Sequence, residues 1–269
     1  MELKWQINDV KGVSELKEVT RIGVTVDGSL KKAEAVMKFA VADKMFFNGY
    51  QTWTYSPEFS PEDRQRTYGR SIPQFLKDKY YLDNYGDCFF MDYPRMFGKF
   101  TGYSWCYFRK GDRLRLFASL DEAPGYTVFR FDSLKDQLVI ERDCQGVKCS
   151  GEFHAFDLFR AEGSSEEVFD AWFEALGISP RTPEKLAGYT SWYNRYNNID
   201  ETCLASDLEN AAGVLKEGDL FQIDDGWQQA VGDWLSVRED RFPSGLKAFC
   251  DDIHSRGYKI GRASCRERV

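Results

Sequence analysis

Phe221-Gln222-Ile223-Asp224-Asp225-Gly226-Trp227-Gln228-Gln229-Ala230-Val231-Gly232-Asp233-Trp234 is an apolar run that ends in two adjacent carboxylates and then meets two tryptophans. A short apolar run closed by turn residues reads as a buried strand. Working outward, residues 188–193 read as the strand before it. An amphipathic helix starts near Asp200, with Leu204, Leu208, Ala212 and Leu215 on one face. Pro243 opens a second helix carrying Leu246, Phe249, Cys250 and Ile253, and Tyr258-Lys259 begins a third strand. This β-α-β-α-β pattern predicts the truncated start of a parallel (β/α)8 TIM barrel. Carboxylates accept hydrogen bonds from several hydroxyls at once, and an indole covers the apolar C–H side of a sugar ring. At the carboxyl end of a barrel strand, where ligands sit, that pairing suits a carbohydrate better than a phosphate or a metal.

The first 163 residues read differently. Short aromatic and β-branched runs alternate with Gly, Asp and Pro signals, as in an antiparallel β-sandwich. Tyr103, Trp105 and Tyr107 alternate with smaller residues before the turn Arg109-Lys110-Gly111-Asp112, which predicts a hairpin with one buried face. A second hairpin is expected from 126–129 and 138–140 around Asp132–Asp136. Ser164 and Glu167 have capping-box spacing, and Val168, Phe169, Trp172, Phe173 and Leu176 form a helical stripe that stops at Gly177. The predicted organisation is a β-sandwich domain over 1–163, a helix and Pro-rich linker over 164–187, and the barrel start over 188–259. Residues 260–269 (IGRASCRERV) are arginine-rich and match the translation of a common short-read sequencing adapter. They are read as an artefact, and Cys265 with them.

The chain has 269 residues, of which 42% are hydrophobic and 16% aromatic, enough for substantial cores. Its net charge of -7 is spread without a basic stripe, so no nucleic-acid partner is expected. Neither a signal segment nor a membrane-length apolar stretch is present in the sequence, and the expected location is cytoplasmic without a membrane partner. The seven cysteines include no C-x-x-C pair and read as reduced thiols. His154 and His254 have no ligand spacing, so no metal site and no cofactor are expected.

The run 221–247, with GYTSWYNRYNNIDE before it and IHSRGYKIG after it, resembles glycoside hydrolase family 36 of clan D, the α-galactosidases. FNGYQTWTYSPE upstream is similar to the family's Asn-Gly-x-Gln-Ser-Trp stretch, with Thr52 where Ser is usual. The resemblance implies retaining hydrolysis of α-galactosides such as raffinose or melibiose. It implies that Asp224 and Asp225 hold the galactose O4 and O6, that Trp192, Tyr193 and Trp234 line the subsite, and that Trp53 reaches over the barrel mouth. For Trp53 a core role in the sandwich stands equally open; Trp227 and Tyr50 are read as packing residues. Retaining catalysis needs a nucleophile and an acid/base about 5 Å apart. The family places both on later strands, so Asp224 and Asp225 are binding carboxylates and the chain as it stands is expected to be an inactive fragment of an enzyme. A raffinose-synthase-like transferase or an α-N-acetylgalactosaminidase is the alternative within the clan, and a non-catalytic carbohydrate-binding protein the alternative outside it. The expected partner is an α-galactoside oligosaccharide, and self-association into a homo-oligomer is compatible with the sequence.

Overall fold

Alternation along the strands decides which side chains meet. In Gln137–Arg142 every second residue is buried, so Leu138 and Ile140 face inward while Val139 and Glu141 face out. The computed structural model describes residues 1–40, 43–50, 54–65, 73–80, 93–94, 96–179, 185–230 and 233–262. Two compact units result, Met1–Ser179 and Pro180–Val269.

The first unit contains, in order, β1 (Glu2–Ile7), β2 (Val10–Glu15), β3 (Val19–Ser29), β4 (Ala33–Lys38), β5 (Lys44–Phe47) and β6 (Glu58–Phe59). After α1 (Gln74–Tyr80) come β7 (Lys99–Tyr103), β8 (Trp105–Lys110), β9 (Arg113–Ser119), β10 (Thr127–Asp132), β11 (Gln137–Arg142), β12 (Lys148–Gly163) and α2 (Ser165–Ala175). They form two six-stranded sheets, β2-β1-β4-β11-β10-β7 and β3-β12-β9-β8-β5-β6, with antiparallel pairing throughout. Their inner faces share one core. At its centre Phe108 lies 4.4 Å from Phe39 and 4.8 Å from Phe131, ring to ring, with Phe47 and Phe117 both at 5.9 Å.

Tyr103, Trp105 and Tyr107 do not share one strand as their alternation predicts. Ser104 takes a positive φ of 63°, and the chain changes sheets there. The amide of Ser104 donates to Thr127 O and its carbonyl accepts from Ser119 N, each at 2.8 Å, so one residue is tied to both sheets. Beyond it the small and apolar partners Cys106 and Phe108 face the core, while Trp105 and Tyr107 turn to the outer face. There Trp105 is covered by α2, and Tyr107 stacks on Phe46. Ser164 and Glu167 close the predicted capping box, and Phe169 and Trp172 pack on Trp105 at 5.3 and 6.0 Å. The helix therefore travels with the sandwich, and the first unit runs to Ser179.

The second unit holds β13 (Gly188–Thr190), α3 (Trp192–Arg195), α4 (Glu201–Ala211), β14 (Leu220–Ile223), α5 (Gly245–Ser255) and β15 (Lys259–Arg262). The three strands lie in sequence order and run parallel. Asp200 caps α4 by accepting from Cys203 N at 2.7 Å. Leu204 and Leu208 of α4 and Phe249 and Ile253 of α5 share a core with Phe221, Ile223 and Tyr258. Because Phe221 stacks on Tyr189 at 4.7 Å and meets Phe249 at 6.2 Å, both helices cover the same face of the sheet. The described residues of this unit form a three-stranded parallel sheet with two crossover helices. The first strand stops at Thr190, three residues short of its predicted end, because Ser191 starts the turn of α3. Ile260, Gly261 and Arg262, set aside in the sequence reading, pair with Phe221, Gln222 and Ile223 as part of β15. No helix among the described residues is long and apolar enough to cross a membrane.

The sandwich core yields a direct test. Phe108→Ala leaves a void among four rings and is expected to lower the unfolding free energy by about 3–5 kcal/mol. Urea denaturation of the variant against the parent chain measures it, with an outward control, Val139→Ala, expected to cost far less.

Candidate functional site

Asp224 and Asp225 follow β14 at its carboxyl end and are only 9% and 6% exposed. Carboxylates so placed must be satisfied by donors, and neighbouring residues supply them. Asp224 Oδ2 accepts from Gln222 Nε2 at 3.0 Å and from Thr190 Oγ1 at 3.3 Å, while its Oδ1 accepts from the amide of Asp225 at 2.9 Å. The amide of Asp224 in turn donates to Ser191 Oγ at 2.9 Å, and Ser191 is fully buried. Asp225 is held more loosely: Gln228 Nε2 donates to its Oδ1 at 3.1 Å, and among the described residues no protein donor bonds Oδ2. The two carboxylates thus differ. Asp224 is bound into the framework through both oxygens, and Asp225 through one among the described residues.

Gly226 explains why the pair is followed by glycine. Its φ is +111°, and a Cβ there would stand 2.3 Å from the carbonyl oxygen of Asn197, far inside contact distance. The turn after β14 therefore lies directly against the segment that follows α3. Gln228 fixes this turn by accepting from Gly226 N at 3.2 Å, and Trp227 is buried in the core of the unit, as a packing residue should be. The chain then returns through an isolated bridge between Gln228 and Val237. Asp233 braces that loop by accepting from the Ser236 hydroxyl and from the amides of Leu235 and Ser236, which hold its carboxyl below the usual range.

The aromatic candidates are placed unequally. Trp192 begins α3, directly after Ser191, half-buried, with its indole edge-on to Tyr196 at 5.3 Å. Tyr193 is 83% exposed. Trp234 lies on the loop after β14, 39% exposed. Trp53 lies outside the described residues. Tyr50 packs in the sandwich unit against Tyr103 and Tyr126 at 5.5 and 5.4 Å, which fits its reading as a packing residue. Thr190, Ser191, Gln222 and Gln228 were missed in the sequence. The usable signal was Gln222, a polar residue in an otherwise apolar strand, on the face opposite Phe221 and Ile223. Among the described residues no group of three or more His, Cys, Asp or Glu side chains gathers as a metal site.

Known proteins resemble the chain in sequence and in fold. No protein-family model matches the chain. Alpha-galactosidase 2 of Arabidopsis thaliana is 34% identical over 92 residues, 32% of this chain and 22% of that protein. Alpha-galactosidase A of Cellvibrio japonicus (strain Ueda107) is 30% identical over 94 residues, 33% of this chain and again 22% of the relative. The matched stretch is thus about a fifth of the length of these relatives, which are glycoside hydrolases. In fold, TtGalA, the alpha-galactosidase of Thermus thermophilus in complex with p-nitrophenyl alpha-D-galactopyranoside, matches with a TM-score of 0.61 at 23% identity, over 97% of this chain and 48% of its own. The GH36 alpha-galactosidase AgaA of Geobacillus stearothermophilus matches with a TM-score of 0.54 at 11% identity, over 97% of this chain and 37% of its own.

Gly226→Ala tests the close approach of the two turns. Backbone strain at positive φ costs about 1–2 kcal/mol, and the contact with Asn197 adds to it. Gly218→Ala is the reference, because its φ of +86° carries the strain while nothing lies within 4 Å of the added methyl. Thermal melts should rank Gly226→Ala clearly below Gly218→Ala; equal melts would remove the contact from the account. By sequence the chain is a relative of the alpha-galactosidases, and by fold it matches the GH36 alpha-galactosidase structures over nearly its whole length.

Proposed function

We propose that this chain is part of an α-galactosidase, that its parallel sheet opens an eight-stranded barrel, and that Asp224 and Asp225 bind the hydroxyls of a terminal α-galactosyl group. The observation that carries the reading is the buried carboxylate pair at the carboxyl end of a parallel strand, with one oxygen of Asp225 bonded by no donor among the described residues. The sheet supports it. Strands in sequence order with both crossover helices on one face are wound in one direction, as a closing barrel requires, whereas a doubly wound sheet places helices on both faces. The opposite face carries Thr190 and Gln222, polar residues suited to the floor of a sugar pocket.

In this reading Asp225 supplies the outward acceptor and Asp224 a second, pre-oriented one. The half-buried Trp192 offers an indole for the apolar side of the ring, and the more exposed Trp234 and Tyr193 are assigned to its rim. TtGalA has been solved with an aryl α-galactoside and with stachyose, and α-galactosides of that kind are the proposed substrates. The cleaving carboxylates of a retaining mechanism are assigned to strands beyond those described, so Asp224 and Asp225 bind the sugar and do not attack it.

The test is kinetic, in the complete enzyme. A charge-assisted hydrogen bond contributes about 1.5–3 kcal/mol, so Asp225→Asn should lower kcat/KM on an aryl α-galactoside about 10- to 150-fold with little loss of melting temperature. Asp224→Asn should lower both, since it also disturbs the Gln222 and Thr190 bonds. An α-glucoside directs its O4 away from this acceptor, and the preference for galactoside over glucoside should narrow in Asp225→Asn. Unchanged kcat/KM in both variants would remove the pair from the substrate site.

A further inference from the structure

A third buried carboxylate sits behind the site. Asp207, on α4, is 9% exposed among Leu204, Leu208 and Ala211. Arg195 grips it with both arms of the guanidinium, Nη2 to Oδ1 at 2.7 Å and Nε to Oδ2 at 3.1 Å, and Tyr189 donates its hydroxyl to Oδ2 at 2.7 Å. Burial pushes the Asp207 carboxyl up, but these bonds outweigh it and hold it below the ordinary range. One carboxylate thereby joins the strand β13, the helix α4 and the turn α3.

The turn needs such a tie. A four-residue helix has no stability of its own, and α3 ends at Tyr196, a non-glycine residue with φ of +52°. Its first residue is Trp192 and its last is Arg195, one turn apart, so the grip on Arg195 sets where the indole stands. The Arg195 side chain keeps 35% of its surface exposed while Asp207 keeps 9%, and an ion pair so partly open to water contributes little to stability on its own. What the fork geometry adds is a fixed position and orientation.

We propose that Asp207 is a positioning residue, acting through Arg195 to hold Trp192 at the sugar-binding mouth. The inference rests on the galactoside reading above. In the complete enzyme, Asp207→Asn should raise KM for an aryl α-galactoside with kcat largely kept; misplacement of a binding group by about 1 Å can cost up to about 100-fold. Arg195→Lys, which keeps the charge and loses the fork, should show the same split in weaker form. The double variant Arg195→Met with Asp207→Leu separates position from stability: its melting temperature should recover while KM stays high. In the chain itself, the Trp192 contribution to fluorescence, isolated by difference against Trp192→Phe, should shift in Asp207→Asn. A double variant that restores both melting temperature and KM overturns the proposal, as does unchanged KM in a folded Asp207→Asn. If Arg195→Lys or Asp207→Asn does not fold, Tyr189→Phe removes one bond of the same carboxylate, and an unchanged KM there counts against the proposal. Lack of galactoside turnover in the parent enzyme refutes the functional reading instead, and the Trp192 difference signal then decides on the clamp alone.

Discussion

Two carboxylates side by side at the end of a buried strand repel each other and lose water, and the second unit is organised around making that tolerable. An unpaired buried charge costs several kcal/mol, so donors must be brought in from both adjoining strands. Thr190 at the end of β13, Gln222 of β14 and Gln228 from the turn beyond donate to the pair, while Ser191 accepts from the backbone amide of Asp224. The parallel register supplies the geometry, since Thr190 stands opposite Gln222 and β14 ends one residue beyond that rung. Glycine at 226 follows from the same demand. The turn must press on the neighbouring segment for Gln228 to fold back over Asp225.

Much of this was legible in the residues. Phe221-Gln222-Ile223-Asp224-Asp225 announced a strand and a carboxylate pair, Asp200 and Ser164 announced helix starts, and the helical stripes named the residues that pack. Less legible was what lies within a step or two of a boundary. The end of β13 depended on Ser191 accepting from Asp224 across the sheet, a contact between residues 33 apart in sequence. Arg195 and Asp207 were passed over because a charged residue on a short turn and another on a helix ordinarily face water. Only the tertiary arrangement shows that they face each other.

The sandwich shows the complementary error. Alternating Tyr103, Trp105 and Tyr107 looked like one buried face, because large aromatics are expected inside. Periodicity reports that a strand has two faces and is silent on which is covered by what. Here the facing sheet covers Cys106 and Phe108, while on the outer face α2 covers Trp105 and Tyr107 stacks on Phe46 and Trp105, so both faces of β8 are lined with apolar groups. Ser104, with nothing in its identity to advertise a change of sheet, does the redirecting through its backbone.

The long ladder between β3 and β12 has a consequence in time rather than in space. It runs from Val19 opposite Phe159 to Ser29 opposite Lys148, and its one cross-strand ion pair, Arg21 with Asp157, joins residues 136 apart. Such a ladder cannot zip until nearly the whole unit has been threaded, whereas the hairpins β8–β9 and β10–β11 close locally. Chains dominated by distant pairings fold slowly because loop closure precedes its reward. During synthesis β3 emerges early and must wait for β12, its backbone edge exposed for as long as the ribosome takes to make the intervening strands. Lys31 and Lys32 just beyond β3, and Arg21 and Asp27 along it, put charge on a strand that would otherwise pair with the first edge it met.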